Sequence, residues 1–288
     1  MSKEMARALT PGFRVLLAAA VLSVGGNAQE AASQTPKQPG IQDNSFLVEE
    51  AYNQNFGVVQ HISSFMRFWD SKNWVYAFTQ EWPVSGVRHQ LSYSLAAQHA
   101  GEFPGSGAGF GDVLLNYRYQ LVGNGDTKVA FAPRATLICP TGDSTVARGI
   151  GGFGVQTNLP LSVVVNSKLV THWNAGATFV PDAKDFQGNH AFSAGYNLGQ
   201  SFIWLAKPRF NVMLETVFAS TQSVVDLDKT EWSRSLFISP GIRWAYNFKN
   251  GLQIVPGIGV PIGAGPSGGE RALLFYLSFE HPFRKIPK

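Results

Sequence analysis

The sequence predicts an all-β fold, a closed antiparallel transmembrane β-barrel of about twelve strands with short periplasmic turns and longer outer loops. Three observations carry the prediction. Apolar and polar residues alternate at every second position over most of the chain, an export signal precedes that pattern, and Cys139 is the single cysteine among 288 residues. A period of two marks an extended strand whose faces meet different surroundings. In the segment 233–248, Leu236, Ile238, Pro240, Ile242, Trp244, Tyr246 and Phe248 fall on one side. Ser235, Ser239, Gly241, Arg243, Ala245 and Asn247 fall on the other, with Phe237 the exception. Lipid against one face and water against the other accounts for such a split.

The N-terminus reads as a signal peptide over residues 1–28. Lys3, Arg7 and Arg14 form a basic start, and Val15 to Val24 is mostly apolar but too short to span a bilayer as a helix. Gly26 and Ala28 place small residues where a signal peptidase reads, so cleavage is expected after Ala28. The mature chain then begins at Gln29, and its net charge falls from +4 to about +2, too little to attract nucleic acid. A lone cysteine in an exported chain forms no internal disulfide, and a closed backbone hydrogen-bond network removes the need for one. Mean hydropathy near zero (−0.03) fits strands whose two faces cancel. Seven Trp, eight Tyr and 21 Phe suffice for aromatic girdles at both membrane interfaces.

Residues 29–56 form a flexible N-terminal lead, rich in Gln, Ser, Pro and Asn at its start. Phe46 to Gln54 has no decisive period; a short helix at the barrel mouth, an extra extended piece and a lumen plug all remain open for it. The barrel occupies residues 57–288. Twelve segments carry the alternation: 57–68, 74–84, 87–98, 110–122, 127–138, 153–164, 167–180, 190–204, 208–219, 233–248, 251–262 and 270–281. Bacterial single-chain barrels have even strand numbers. Pro133 and Pro256 lie inside two of these segments, where a missing N–H calls for a bulge or bend.

The connections alternate in length. Those at Val84–Val87, Gly123–Asp126, Asn166–Ser167, Lys207–Pro208 and Asn247–Gly251 are short and mostly built from turn formers. Those at Ala100–Gly109, Pro140–Gly152, Pro181–Asn189, Ser220–Trp232 and Gly263–Glu270 are longer. The alternation gives the barrel its sidedness, tight turns toward the periplasm and loops outward. The short outer connection Trp69–Asn73 departs from it.

The residues that alternate inward include Arg67, Arg88, Arg118, Arg134, Lys168 and Arg243, with Glu81, Asp112, Glu215 and Glu280. A charge facing lipid is costly, so these groups need water or one another. The set expected to line a solute path by electrostatic selection is Arg88, Arg118, Arg134, Arg243, Asp112, Glu215, Lys168 and His172. Leu114 joins the inward face beside Asp112, Asn116, Arg118 and Gln120. No catalytic constellation emerges: no histidine sits in a hydrolase motif beside a serine, and no Ser–His pair can be assembled at one depth. Gly107, Gly109, Gly111, Gly149, Gly151, Gly152 and Gly154 lead into strands rather than a helix, which excludes a phosphate loop. Asp226, Asp228 and Glu231 share a loop without regular ligand spacing, so neither metal nor cofactor is expected.

Gly109–Leu121 (GFGDVLLNYRYQL) resembles the glycine–aspartate strand of outer-membrane transporters in the MetA-pathway of phenol degradation family. Ile238–Arg243, Leu252–Gly257 and Pro140–Asp143 are similar to other parts of that family, and the resemblance spans most of Phe46 to Phe279. It implies a barrel that passes small compounds, aromatic ones among them, and supplies no catalytic residues. The last strand, with Leu273, Phe275, Leu277 and Phe279 on one face, resembles the signal read by the barrel-assembly machinery, although the chain continues past it.

The expected function is passage of small, aromatic or anionic molecules across the outer membrane of a Gram-negative cell. The expected partners are outer-membrane lipid, the assembly machinery and small-molecule solutes. The alternatives are an outer-membrane lipid-modifying enzyme, a structural barrel with a plugged lumen, and a soluble exported sandwich.

Overall fold

The computed structural model describes residues 44–99, 107–249 and 252–282. The expected signal peptide, most of the expected lead and the residues after Pro282 lie outside the described residues. Twelve strands form the wall. They are β1 (Val58–Phe68), β2 (Trp74–Pro83), β3 (His89–His99), β4 (Gly109–Phe110 and Val113–Tyr119), β5 (Val129–Phe131 and Arg134–Cys139) and β6 (Gly154–Asn158 and Leu161–Asn166). There follow β7 (Leu169–Lys184), β8 (His190–Lys207), β9 (Phe210–Asp226), β10 (Lys229–Trp244 and Tyr246–Asn247), β11 (Gln253–Gly259 and Ile262–Gly263) and β12 (Ala272–Pro282). Each strand pairs antiparallel with its neighbours in sequence. The ring closes where β1 meets β12 in one continuous register, from Val58 opposite Pro282 to Phe68 opposite Ala272. No free sheet edge remains among the described residues, which is what permits a β-structure inside a bilayer.

The wall is sided as the alternation predicts. Leu91, Leu95, Leu115, Tyr117, Leu137, Phe202, Leu214, Ile238, Ile242, Phe275 and Leu277 point outward and are exposed. An apolar surface this continuous around a closed cylinder needs lipid, which fixes the fold as a transmembrane barrel. Phe110, Phe153, Phe192 and Trp232 mark the outer rim, and Trp204, Tyr246 and Phe248 the periplasmic one.

Prolines account for most of the breaks. Pro133 and Pro160 separate the two parts of β5 and β6. Beside Pro256 the β10–β11 ladder is interrupted, between the pairs Arg243–Gly257 and Tyr246–Ile254. Each lacks the N–H that the ladder requires.

Two outer connections differ from expectation. Pro181–Asn189 begins as strand, with β7 running to Lys184, and Ser220–Trp232 is largely strand: β9 and β10 meet at a hairpin whose turn is Leu227–Asp228, with Asp228 at φ +55°. Thr, Ser and Val continue the two-residue alternation there, and β-branched residues favour the pleated surface. Strands β7 to β10, of 16 to 18 residues, therefore extend beyond β1 to β3, of 10 or 11. Arg67 is corrected as well. It points outward at the exposed rim, because Met66 and Phe68 take the inward positions.

Candidate functional site in the barrel lumen

The lumen contains a segment of the chain itself. Residues 44–54 form neither helix nor strand, run through the interior and are buried throughout. Backbone groups removed from water need partners, and side chains of the wall supply them. One oxygen of Glu215 in β9 accepts the amides of Phe46, Leu47 and Val48 at 3.0, 2.7 and 3.1 Å. The Glu49 amide donates to Asn174 Oδ1 (2.7 Å) and the Ala51 amide to Ser162 Oγ (2.8 Å). The Asn53 amide donates to Gln120 Oε1 (2.9 Å), and that of Gln54 to Gln90 Oε1 (2.6 Å). Seven amides are thus held by side chains of four strands and by Gln120 just past β4.

The charges converge on Glu49. Its carboxylate meets Arg118 Nη1 at 3.1 Å, Arg134 Nε at 3.0 Å and Asn158 Nδ2 at 2.7 Å. Arg118 also donates to Asn53 Oδ1 (3.0 Å) and to the carbonyls of Glu50 (3.3 Å) and Tyr52, and lies 3.8 Å from Glu81 of β2. Arg134 is fixed by the wall, through Asn116 Oδ1 (2.7 Å) and Thr136 Oγ1 (3.0 Å). Glu49 and Arg118 are only 1 % and 2 % exposed. A buried pair holds together because removing one partner strands the other's charge.

Another part of the interior is apolar. Phe46, Leu47 and Val48 join Ile62, Met66, Phe68, Val75, Met213, Val217, Phe237, Leu274 and Tyr276 in one buried cluster. Phe237, the exception to alternation in β10, belongs to this cluster, and Leu114 in β4 is buried on the inward face as well.

The outer mouth is crossed by the connection after β5. Asp112 Oδ1 accepts the amide of Gly142 (2.9 Å) and its Oδ2 that of Ile150 (2.8 Å). Gln98 donates to the Ala147 carbonyl at 3.0 Å, Ala147 packs on the central cluster, and Ile150 packs against Val180, Ala183, Ala191 and Val224. The Thr145 hydroxyl and amide hold the Asp143 carboxyl below its usual range. Replacing Asp112 by Ala leaves two loop amides without acceptors, each worth about 1–3 kcal/mol where water is scarce. Hydrogen exchange at Gly142 and Ile150 should accelerate by roughly tenfold or more in Asp112→Ala, with exchange in β12 unchanged.

Arg118, Arg134, Arg243, Glu215 and His172 lie inside the barrel, each buried. Asp112 stands at the outer mouth. Arg88 and Lys168 are exposed in the periplasmic turns before β3 and β7, off the lumen wall, because the strands start two residues later than the alternation suggested. Sequence reasoning passed over Glu49. Its signal was a pair of adjacent carboxylates, Glu49 and Glu50, in a stretch otherwise free of charge between Asn44 and Gln54. It also failed to assemble a Ser–His pair, and one exists: Ser162 Oγ lies 2.7 Å from His172 Nδ1. Both are buried, and Ser162 Oγ already accepts the Ala51 amide while the Tyr52 ring stands edge-on to His172. The pair faces the inner segment rather than lipid at the outer rim, where a lipid-modifying site would lie.

The model of the MetA-pathway of phenol degradation family matches residues 36–265. No curated protein matches the chain. Among solved structures, an outer membrane channel from Pseudomonas putida F1 aligns with TM-score 0.54 at 13 % identity, over 86 % of this chain and 99 % of that one. The KdgM porin aligns with TM-score 0.46 at 10 % identity, over 78 % and 99 %. The Ralstonia pickettii toluene transporter TbuX aligns with TM-score 0.42 at 9 % identity, over 80 % and 90 %.

Proposed function

This chain belongs to the MetA-pathway of phenol degradation family, and from that premise we propose that it is an outer-membrane channel for small molecules whose lumen is closed by its own residues 44–54. The observation that carries the reading is how the segment is held. It joins no ladder of the wall; its amides rest on wall side chains. A strand paired in the ladder could not leave without opening the wall, whereas this segment can withdraw with the ring intact, water taking over its hydrogen bonds. The Pseudomonas barrel that shares this fold is itself an outer membrane channel. The apolar cluster around Phe46, Phe237 and Tyr276 suits solutes with an apolar body.

Planar-bilayer recording of the full chain and of a variant lacking residues 44–54 tests the proposal. The full chain should give small or brief currents, and the deletion steady unitary currents on the order of tenfold larger. A deletion variant that is folded in the membrane yet silent would overturn the channel.

A further inference from the structure

We infer that Arg118, Arg134 and Asn158 form a carboxylate-binding site, that Glu49 fills it as an internal ligand, and that the solute competing for it is a small carboxylate with an apolar body. The inference rests on the channel reading for the word solute, and on geometry alone for the site.

Three strands aim donors at one carboxylate: Arg118 from β4 on one oxygen, Arg134 from β5 and Asn158 from β6 on the other. The two arginines are prepared differently. Arg134 is oriented by Asn116 and Thr136 of the wall, so it keeps its direction whatever occupies the lumen. Arg118 draws its acceptors at Glu49, Glu50, Tyr52 and Asn53 from the segment, and its ion pair with the wall is the longer one, to Glu81 at 3.8 Å. Withdrawal of the segment therefore exposes two guanidinium groups and an amide already spaced for a carboxylate, with Glu81 the nearest wall anion. Such a cluster favours an incoming anion over a cation or a neutral solute.

The apolar part of the ligand is read from the segment's other side chains. The Phe46 ring sits where Gly241, Gly257 and Gly259 leave room; a Cβ on Gly257 would stand 2.5 Å from Phe46 Cζ. Val48 lies against Gly199, where a Cβ would approach its Cγ2 to 3.1 Å. The wall thus reserves space for apolar groups in the same lumen that holds a carboxylate by charge. The segment presents that same combination, Phe46 and Val48 with Glu49.

The test compares benzoate with benzamide, which has the same ring and no charge, by calorimetric titration of the full-length protein in detergent. Glu49→Gln keeps the shape of the internal ligand and removes its charge. Benzoate should bind this variant roughly tenfold more tightly than it binds the unmodified chain, and roughly tenfold more tightly than benzamide does. Adding Arg134→Gln should abolish the preference, with heat-modifiable gel migration confirming that the barrel remains folded. Equal binding of benzoate and benzamide, or a preference that survives Arg134→Gln, would sink the site. The channel reading fails separately, through absent current in the 44–54 deletion while benzoate binding persists.

Discussion

Replacing Glu215 by Ala is expected to release the inner segment at its N-terminal end. One carboxylate oxygen holds three consecutive amides, those of Phe46, Leu47 and Val48. A hydrogen bond to a charged group contributes about 1.5–3 kcal/mol, and an orphaned buried donor costs about 1–3 kcal/mol. Water entering from the periplasmic side recovers part of that. A net loss of about 3 kcal/mol is a reasonable scale, which shifts the ratio of docked to withdrawn segment by roughly 100-fold. Two measurements follow. Hydrogen exchange at residues 46–48 should approach the rate of an open chain, and channel open time should rise. Glu215→Gln keeps an oxygen acceptor without the charge and should fall between the two. Protected amides at 46–48 in Glu215→Ala would mean that the apolar cluster around Phe46 alone holds the segment.

The same carboxylate shows where the sequence was legible and where it was not. Glu215 alternates inward on β9, and that periodicity is local, so its facing could be read from a few neighbours. Its three partners are 167 to 169 residues away in sequence, and no local pattern encodes such a contact. The twelve strands, their order and the lipid face were readable for the same local reason. Phe237 broke the alternation, and that break was informative: it belongs to a buried apolar cluster that polar-inward logic did not anticipate. Arg88 and Lys168 failed for the converse reason. A two-residue period continued by one position into a turn assigns a face where no wall exists. The segment 44–54 was the least legible part, because a chain held by other residues' side chains needs no period of its own. The outer extension of β7 to β10 was hidden by composition, since polar Ser, Thr and Asp read as loop until their alternation is counted.

The second large effect concerns the face that touches lipid. Leu115 stands near the middle of β4, between Tyr93 of β3 and Leu137 of β5, and is 48 % exposed. Arginine there cannot reach the lumen, because the pleat turns successive side chains to opposite faces. It has only hydrocarbon, or a long bend toward a headgroup. The cost at mid-bilayer is about 2–4 kcal/mol for a transmembrane barrel. Urea unfolding of Leu115→Arg in lipid vesicles should therefore show that loss, against under about 1 kcal/mol for Leu115→Ala at a position that buries little protein surface. The neighbouring position makes the comparison sharp. Leu114, one residue away, is buried and faces inward, so Leu114→Asn should be sensitive to interior packing and insensitive to bilayer thickness. If Leu115→Arg were tolerated as readily in thick bilayers as in detergent, lipid would not be what this face was built to meet. The exposed apolar rows would then need a protein partner covering them. The two substitutions, differing by one step along a single strand, separate a wall that divides hydrocarbon from a polar and apolar interior from one that merely packs.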